Sequence, residues 1–256
     1  MTAFVAFLKK EILDYLRNGK LLLFAILFSV FGVMNPAIAK LTPWLMELFA
    51  EELGESGIIM TEVTVTALTS WVQFFKNVPM ALIAFVLICG GAFTKEYGSG
   101  TMVLLLSKGL SRYKVVLAKL TVMISLWSAG YFLCFGVTYA YNAYFWDNSI
   151  ATGLGFAVMA QWLIGVFVIS ATVFFSTVFS SSSSVLLGVG GVYLGAYVLS
   201  IIPKIGKFSP IYLINSASEL GATPDASKYI ASLVLNLAIC VLFSIFSIPL
   251  FNKKSL

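Results

Sequence analysis

The sequence predicts an all-α integral membrane protein with six transmembrane helices, and three observations carry that prediction. Of 256 residues, 60% are hydrophobic and 11% charged, whereas a soluble domain carries about 25% charged residues. The mean hydropathy of +0.98 is too apolar for a surface that faces water. Six stretches, 21–39, 77–94, 120–145, 152–179, 185–202 and 229–251, are apolar and free of Asp, Glu, Lys and Arg. Each is long enough, or nearly so, to cross a hydrocarbon core of about 30 Å as a helix rising 1.5 Å per residue. A soluble enzyme, a disordered chain and a secreted disulfide scaffold are excluded.

Residues 1–20 read as an interfacial amphipathic helix. Phe4, Phe7, Leu8, Ile12 and Tyr15 share one helical face, while Lys9, Lys10, Asp14 and Arg17 lie elsewhere. Ala37-Ile38-Ala39 has the form of a signal-peptidase site. The helix before it is unlike a short basic leader, so the segment is read as retained. Residues 21–256 form the spanning domain. Its first outer loop, 40–76, is long and acidic, with helical stretches expected at 43–53 and 61–75 joined through Gly54 and Gly57. The third and fourth spans exceed the bilayer and must tilt or protrude. Five serines at 180–184 make a tight inner turn. The segment 203–228 is broken by Pro203, Gly206, Pro210, Gly221 and Pro224, and fits a re-entrant or interfacial outer element before the last span. No internal repeat is visible.

Orientation follows from the basic residues. With both termini cytoplasmic, the inner side carries +8 and the outer side −3, which accounts for the net +5. The basic balance reports topology, and nothing calls for nucleic acid. There is no His, and Cys89, Cys134 and Cys240 fall in apolar runs where a thiol acts as a small hydrophobe. No metal site and no catalytic residue can be drawn from that inventory. No span holds an ionisable relay of the kind ion-coupled transport uses. The polar residues in the spans are Asn35, Asn142, Gln161 and Asn236, with Ser170, Thr172, Ser176 and Thr177 on the fourth. They are read as interhelical hydrogen-bonding groups. Energy for moving anything uphill would come from a partner.

The most informative segment is the inner loop 95–119. Gly98 and Gly100 free the backbone after the second span. Thr101 then starts a short helix, its hydroxyl placed to cap the first turn. Met102, Leu105 and Leu106 give that helix an apolar face, and Gly109 ends it. Ser111 is placed to cap the next helix, which carries Arg112, Lys114 and Lys119 into the third span. A rod between two glycine breaks can push both adjoining spans when gripped from outside the membrane. The plainer alternative is a positive-inside anchor.

Glu96, Gly100-Thr101, the leucine run through Leu104 and Leu105 to Ser107, Ser111-Arg112 and Lys119 together resemble the inner-loop signature of type-2 ABC exporter permeases. The layout of the whole chain is similar to theirs as well. One departure is Lys108-Gly109-Leu110, where many members carry Pro before Ser-Arg. The resemblance implies a permease subunit with no cofactor of its own. ATP and Mg would be bound by a separate ABC ATPase subunit, since this chain has no Gly-x-x-x-x-Gly-Lys loop. It implies a second permease copy or a related permease, the lipid bilayer of the cell membrane as setting, and a coupling helix within 96–107. It also implies that the first, second and fifth spans meet the transport path. Candidate wall residues there are Phe24, Phe28, Phe31, Phe85 and Tyr193. Gly191-x-x-x-Gly195, aided by Gly188, permits close helix approach within one subunit or between two. An uncharged wall suits export of a hydrophobic or amphipathic cargo, peptide or drug-like, and offers a bare ion nothing. A non-transporting membrane scaffold or sensor, or a permease for ions, are the rival readings.

Overall fold

The structure, a computed structural model, describes residues 3–48, 64–222 and 225–254. The acidic part of the first outer loop, with Gly54, Gly57, Glu51, Glu52, Glu55 and Glu62, lies outside those residues, as does Pro224. The described helices are α1 (Ala3–Arg17), α2 (Lys20–Leu48), α3 (Ala67–Cys89), α4 (Thr94–Gly98), α5 (Thr101–Ser107), α6 (Arg112–Phe145), α7 (Leu154–Val178), α8 (Ser182–Ile201) and α9 (Ile230–Lys253). Among the described residues α2, α3, α6, α7, α8 and α9 are long and apolar enough to cross a membrane.

The helices run past their apolar centres. α2 continues through Lys40 and Pro43, and α3 starts at Ala67, well before residue 77. The helical stretches expected within 40–76 are therefore extensions of the spans as far as they are described, and Lys76 sits on α3. Likewise α6 begins at Arg112 and takes Lys119 into its third turn; its 34 residues measure about 51 Å.

α7 is the post of the bundle. It is apolar on all sides and the most enclosed span, as a helix without a polar face must be. Its contact with α6 is made close by Gly165, which lies flat against the Trp127 indole. Trp127 Nε1 donates to Trp162 O (3.2 Å), Trp162 Nε1 to Ser128 Oγ (3.0 Å), and Tyr131 OH to Val158 O (2.8 Å). α8 sits at the edge, with most of its surface open.

α2 meets α6 through a second device. Pro36 stands inside α2, and a proline removes the N–H that would bond the carbonyl four residues back. That carbonyl is Gly32 O, and Thr138 Oγ1 on α6 donates to it at 2.9 Å. Asn35 Nδ2 in turn donates to Thr138 Oγ1 (3.0 Å), and Asn77 Nδ2 of α3 donates to Asn35 Oδ1 (2.7 Å). Asn35 thus acts as an interhelical bond, as expected. Ser170, Thr172, Ser176 and Thr177 do not: each returns its hydroxyl to a carbonyl of its own helix.

The segment between α8 and α9 folds as 3₁₀ turns at Gly206–Phe208, Pro210–Glu219 and Ala226–Tyr229. Pro210, Ile211, Leu213 and Ser216 are buried against the bundle. Its irregular backbone finds partners in side chains: Ser232 Oγ donates to Ser209 O (2.5 Å) and Asn236 Nδ2 to Pro210 O (3.4 Å). This meets the rule that non-helical backbone at depth must be enclosed in protein.

Candidate functional site

The termini, α1, α4, α5 and the start of α6 gather at one end of the bundle. α1 docks there by most of the face its apolar residues mark, with Phe4 and Leu8 packed against the core. Phe7, Glu11 and Tyr15, spaced by four, are its buried residues, and Ile12 is exposed. Glu11 therefore enters the interior and needs a cation.

Lys119 supplies it. Its side chain is 2% exposed, and its ammonium donates to Glu11 Oε2 (2.9 Å) and Ala92 O (3.0 Å). Glu96 Oε2 lies 3.0 Å from the same nitrogen, off the hydrogen-bonding direction, so that contact is an ion pair without a shared proton. Lys10 closes the ring, donating to Glu11 Oε1 (2.8 Å) and to Glu96 Oε1. Two cations and two carboxylates from α1, α4 and α6 make a neutral cluster. The Phe93 ring packs 5.2 Å from the Lys119 ammonium. Such a cluster adds little net stability over an apolar equivalent, but losing one member leaves an uncompensated buried charge, at about 3–5 kcal/mol.

Burial alone would push the Glu11 carboxyl up. The charge of Lys119 and the hydrogen bonds of Lys10 and Lys119 outweigh it and hold Glu11 below the usual glutamate value. Lys10 is shifted the opposite way: burial would lower it, and bonds to Glu11 and Glu96 raise it. A depressed carboxylate stabilises the fold above its unfolded value of about 4.3, and this contribution fades as pH falls through the lower folded value. A raised lysine stabilises below its unfolded value of about 10.4, and fades as pH rises through the higher folded value. The chain has no His. Thermal unfolding of the detergent-solubilised protein is therefore expected to be nearly flat from about pH 5 to 10. It should fall on the acid side, and Glu11→Gln should flatten that acid limb. A midpoint that changes steeply between pH 6 and 8 would contradict this account.

The loop beside the cluster is jointed. Gly100, at φ 68°, is in the left-handed region that glycine adopts freely, and it separates α4 from α5. The Thr101 hydroxyl does not cap α5. It pairs with Ser99 Oγ (2.9 Å) and reaches back to Glu96 O, because Gly100 turns it toward α4. Ser111 occupies the N-cap position of α6 without a side-chain bond. Ser107 Oγ returns to Leu104 O (3.0 Å). Met102 is buried, Leu105 and Leu106 pack against the core, and Leu104 stays 62% exposed. Gly98 has open space around it. Arg112 clamps the far end of the chain, its Nη1 donating to Phe251 O, Asn252 O (3.2 Å) and Lys254 O (2.8 Å). Lys254 then donates to Phe179 O at 2.7 Å, closing the last turn of α7. A cavity of about 740 Å³ opens between α1 and this loop, lined by Lys10, Asp14, Lys20, Lys95, Leu104 and Lys108 among others.

Glu96 and Lys119 thus come together as neighbours, while Gly98, Gly100, Leu104, Leu105 and Ser107 shape the rod beside them. Glu11 escaped the sequence reading. Its signal was the four-residue spacing Phe7, Glu11, Tyr15, which places a carboxylate on the buried stripe. The wall candidates divide. Phe24, Phe28 and Phe85 do not face an open path here. They interlock inside the chain, with Phe24 5.0 Å from Phe85, and Phe28 and Phe85 5.8 and 5.7 Å from Trp127. Aromatic rings with edge-to-face partners on three helices bury more area there than on an open wall. Phe31 is half-buried, and Tyr193 borders two cavities. Gly188 packs on Phe175 of α7, whereas a side chain at Gly191 or Gly195 would meet nothing.

Two comparisons bear on this geometry. A family model described as "ABC-2 family transporter protein" matches residues 5–256. The "Uncharacterized transmembrane protein YxlG" of Bacillus subtilis (strain 168) is 22% identical over 264 residues, covering 99% of this chain and 98% of that protein.

Proposed function

The chain belongs to the ABC-2 family of transporter proteins, and from that premise we propose that it is the permease half of an ATP-driven exporter, worked through the charged cluster at its cytoplasmic end. Membership makes it a multi-pass membrane component of an ABC transporter and implies an ABC ATPase as partner. The observation that carries the mechanism is that Glu96 and Lys119 tie the jointed loop to α1 and α6, while Leu104 on the outer face of α5 remains exposed. An exposed apolar face beside a charged hollow is what a docking subunit would grip. The rigid ionic contact would pass its movement into α3 and α6.

A second permease copy would meet this one along α8, where Gly191 and Gly195 leave open, flat surface. Cargo would be hydrophobic or amphipathic and would move toward the outside.

The coupling role is tested by placing a photo-crosslinking amino acid at Leu104 in cells that co-express the chain with its ATPase. Capture of a P-loop ATPase at Leu104, and none at the outward-facing Leu194, is expected. Crosslinks only to lipid, or to the chain itself, would remove the coupling role.

A further inference from the structure

A groove runs along α3 and α8 on the flank of the bundle. Its deeper half is a cavity of about 370 Å³ between Leu82 and Val86 of α3, Val168 of α7, and Leu186 and Gly190 of α8. Pro79, Tyr193 and Leu194 also border a second cavity of about 680 Å³, so the two are continuous. From Val72 to Leu87 on α3 the groove is about 22 Å long. The two halves differ in chemistry. The deeper half is hydrocarbon apart from the tyrosine. The other half gathers Lys76, Gln161, Asn215 and Ser218.

Gln161 is the unusual member. It is 4% exposed on α7, it lines the cavity, and among the described residues its amide makes no side-chain hydrogen bond, whereas Asn35 and Asn236 are bonded and Asn142 is sealed in without a partner. Lys76 is the one charged residue in the lining of either cavity, and among the described residues it makes no ion pair. A cation and an amide beside an apolar slot that opens on the flank of the bundle select a particular molecule.

We propose that this groove binds a single-chain anionic amphiphile, its acidic head on Lys76 and Gln161 and its chain in the slot between α3 and α8. The proposal rests on the permease reading and names the cargo class for it. A cationic amphiphile would put like charge against Lys76. A bare hydrocarbon would leave Gln161 unpaired. The apolar cavity that adjoins the polar half is about 370 Å³, a volume that suits one chain.

The test uses the full chain in nanodiscs of zwitterionic lipid. The probe is palmitic acid with a diazirine at the chain end, compared with the same chain bearing a trimethylammonium head and with its methyl ester. The acid should label peptides containing Leu82–Leu87 or 186–190, and unlabelled palmitate should compete. The two head variants should label about tenfold less, as should Lys76→Gln and Gln161→Leu, the factor expected for losing a charge-assisted hydrogen bond. Lys76 is exposed, so Lys76→Gln carries the test if Gln161→Leu does not fold. Equal labelling by all three probes, or wild-type labelling in Lys76→Gln, would overturn the proposal and leave the groove a lipid-filled crevice. The assay needs no ATPase, so it fails independently of the crosslink at Leu104. Selective labelling without ATPase capture would uphold the ligand and overturn its standing as cargo.

Discussion

Lys119→Met is expected to destabilise the protein by about 3 kcal/mol or more and to abolish transport. Methionine keeps the length and packing of the lysine stem but removes the ammonium. Glu11 and Glu96 are then left beside each other in the interior, with only the half-exposed Lys10 between them. Glu11 loses the charge that offsets its burial, so its carboxyl should rise and take up a proton. α1 would be held by its apolar contacts, Phe4, Phe7, Leu8 and Tyr15, and by the Lys10–Glu96 pair. Unfolding of the purified variant by heat or by denaturing detergent reads the first effect. The double variant Glu11→Leu/Lys119→Met should recover much of the stability, because an apolar pair carries no buried charge. Transport should stay lost in both, since Glu96 no longer ties the loop to α6 and only Lys10 still joins it to α1. A double variant no more stable than Lys119→Met would show that the cluster acts through something other than charge compensation. Normal flux in either variant would remove its coupling role.

Gly165→Val should be the most damaging single change in the spans. A Cβ at Gly165 would lie 2.2 Å from Trp127 Cε2. The indole cannot retreat: Phe28, Phe85 and Tyr131 pack around it, and its Nε1 is committed to Trp162 O. α6 and α7 must therefore move apart, which breaks the Trp162–Ser128 and Tyr131–Val158 bonds together. Overpacking of a closed core costs typically 1–3 kcal/mol, and the lost bonds add about 1 kcal/mol each. Expression of folded protein, followed by size-exclusion chromatography, is expected to collapse. Gly195→Ala is the matched control, because nothing lies within 4 Å of its added carbon. If Gly165→Val behaves like Gly195→Ala, the close α6–α7 contact is wrong.

The spans and the loop that bears Glu96 were readable because membrane solvation writes them as long uncharged runs, and because glycines at 98, 100 and 109 punctuate the chain. Helix ends were not. An apolar count stops at Ala39, whereas hydrogen bonding carries α2 on past Lys40 and Pro43. Glu11 was hidden for a related reason. Residue type assigns a carboxylate to water, and only the arrival of Lys119 from another helix makes burial tolerable. Phe24, Phe28 and Phe85 show the converse limit. Apolar periodicity marks a residue as buried without saying whether lipid, a path or Trp127 covers it. The serines and threonines of α7 chose their own carbonyls over a neighbour's, a choice made by local rotamers that no spacing in the chain records.

The bond from Thr138 to Gly32 O has a mechanical corollary. In most bent helices the rung opposite a proline is simply missing, and bending further strains what remains. Here the missing rung is lent by α6. The Gly32 carbonyl, near the outer end of the apolar run, therefore stays paired without help from its own helix, and α2 depends on α6 at that turn. The first span thus borrows one of its backbone bonds from another helix.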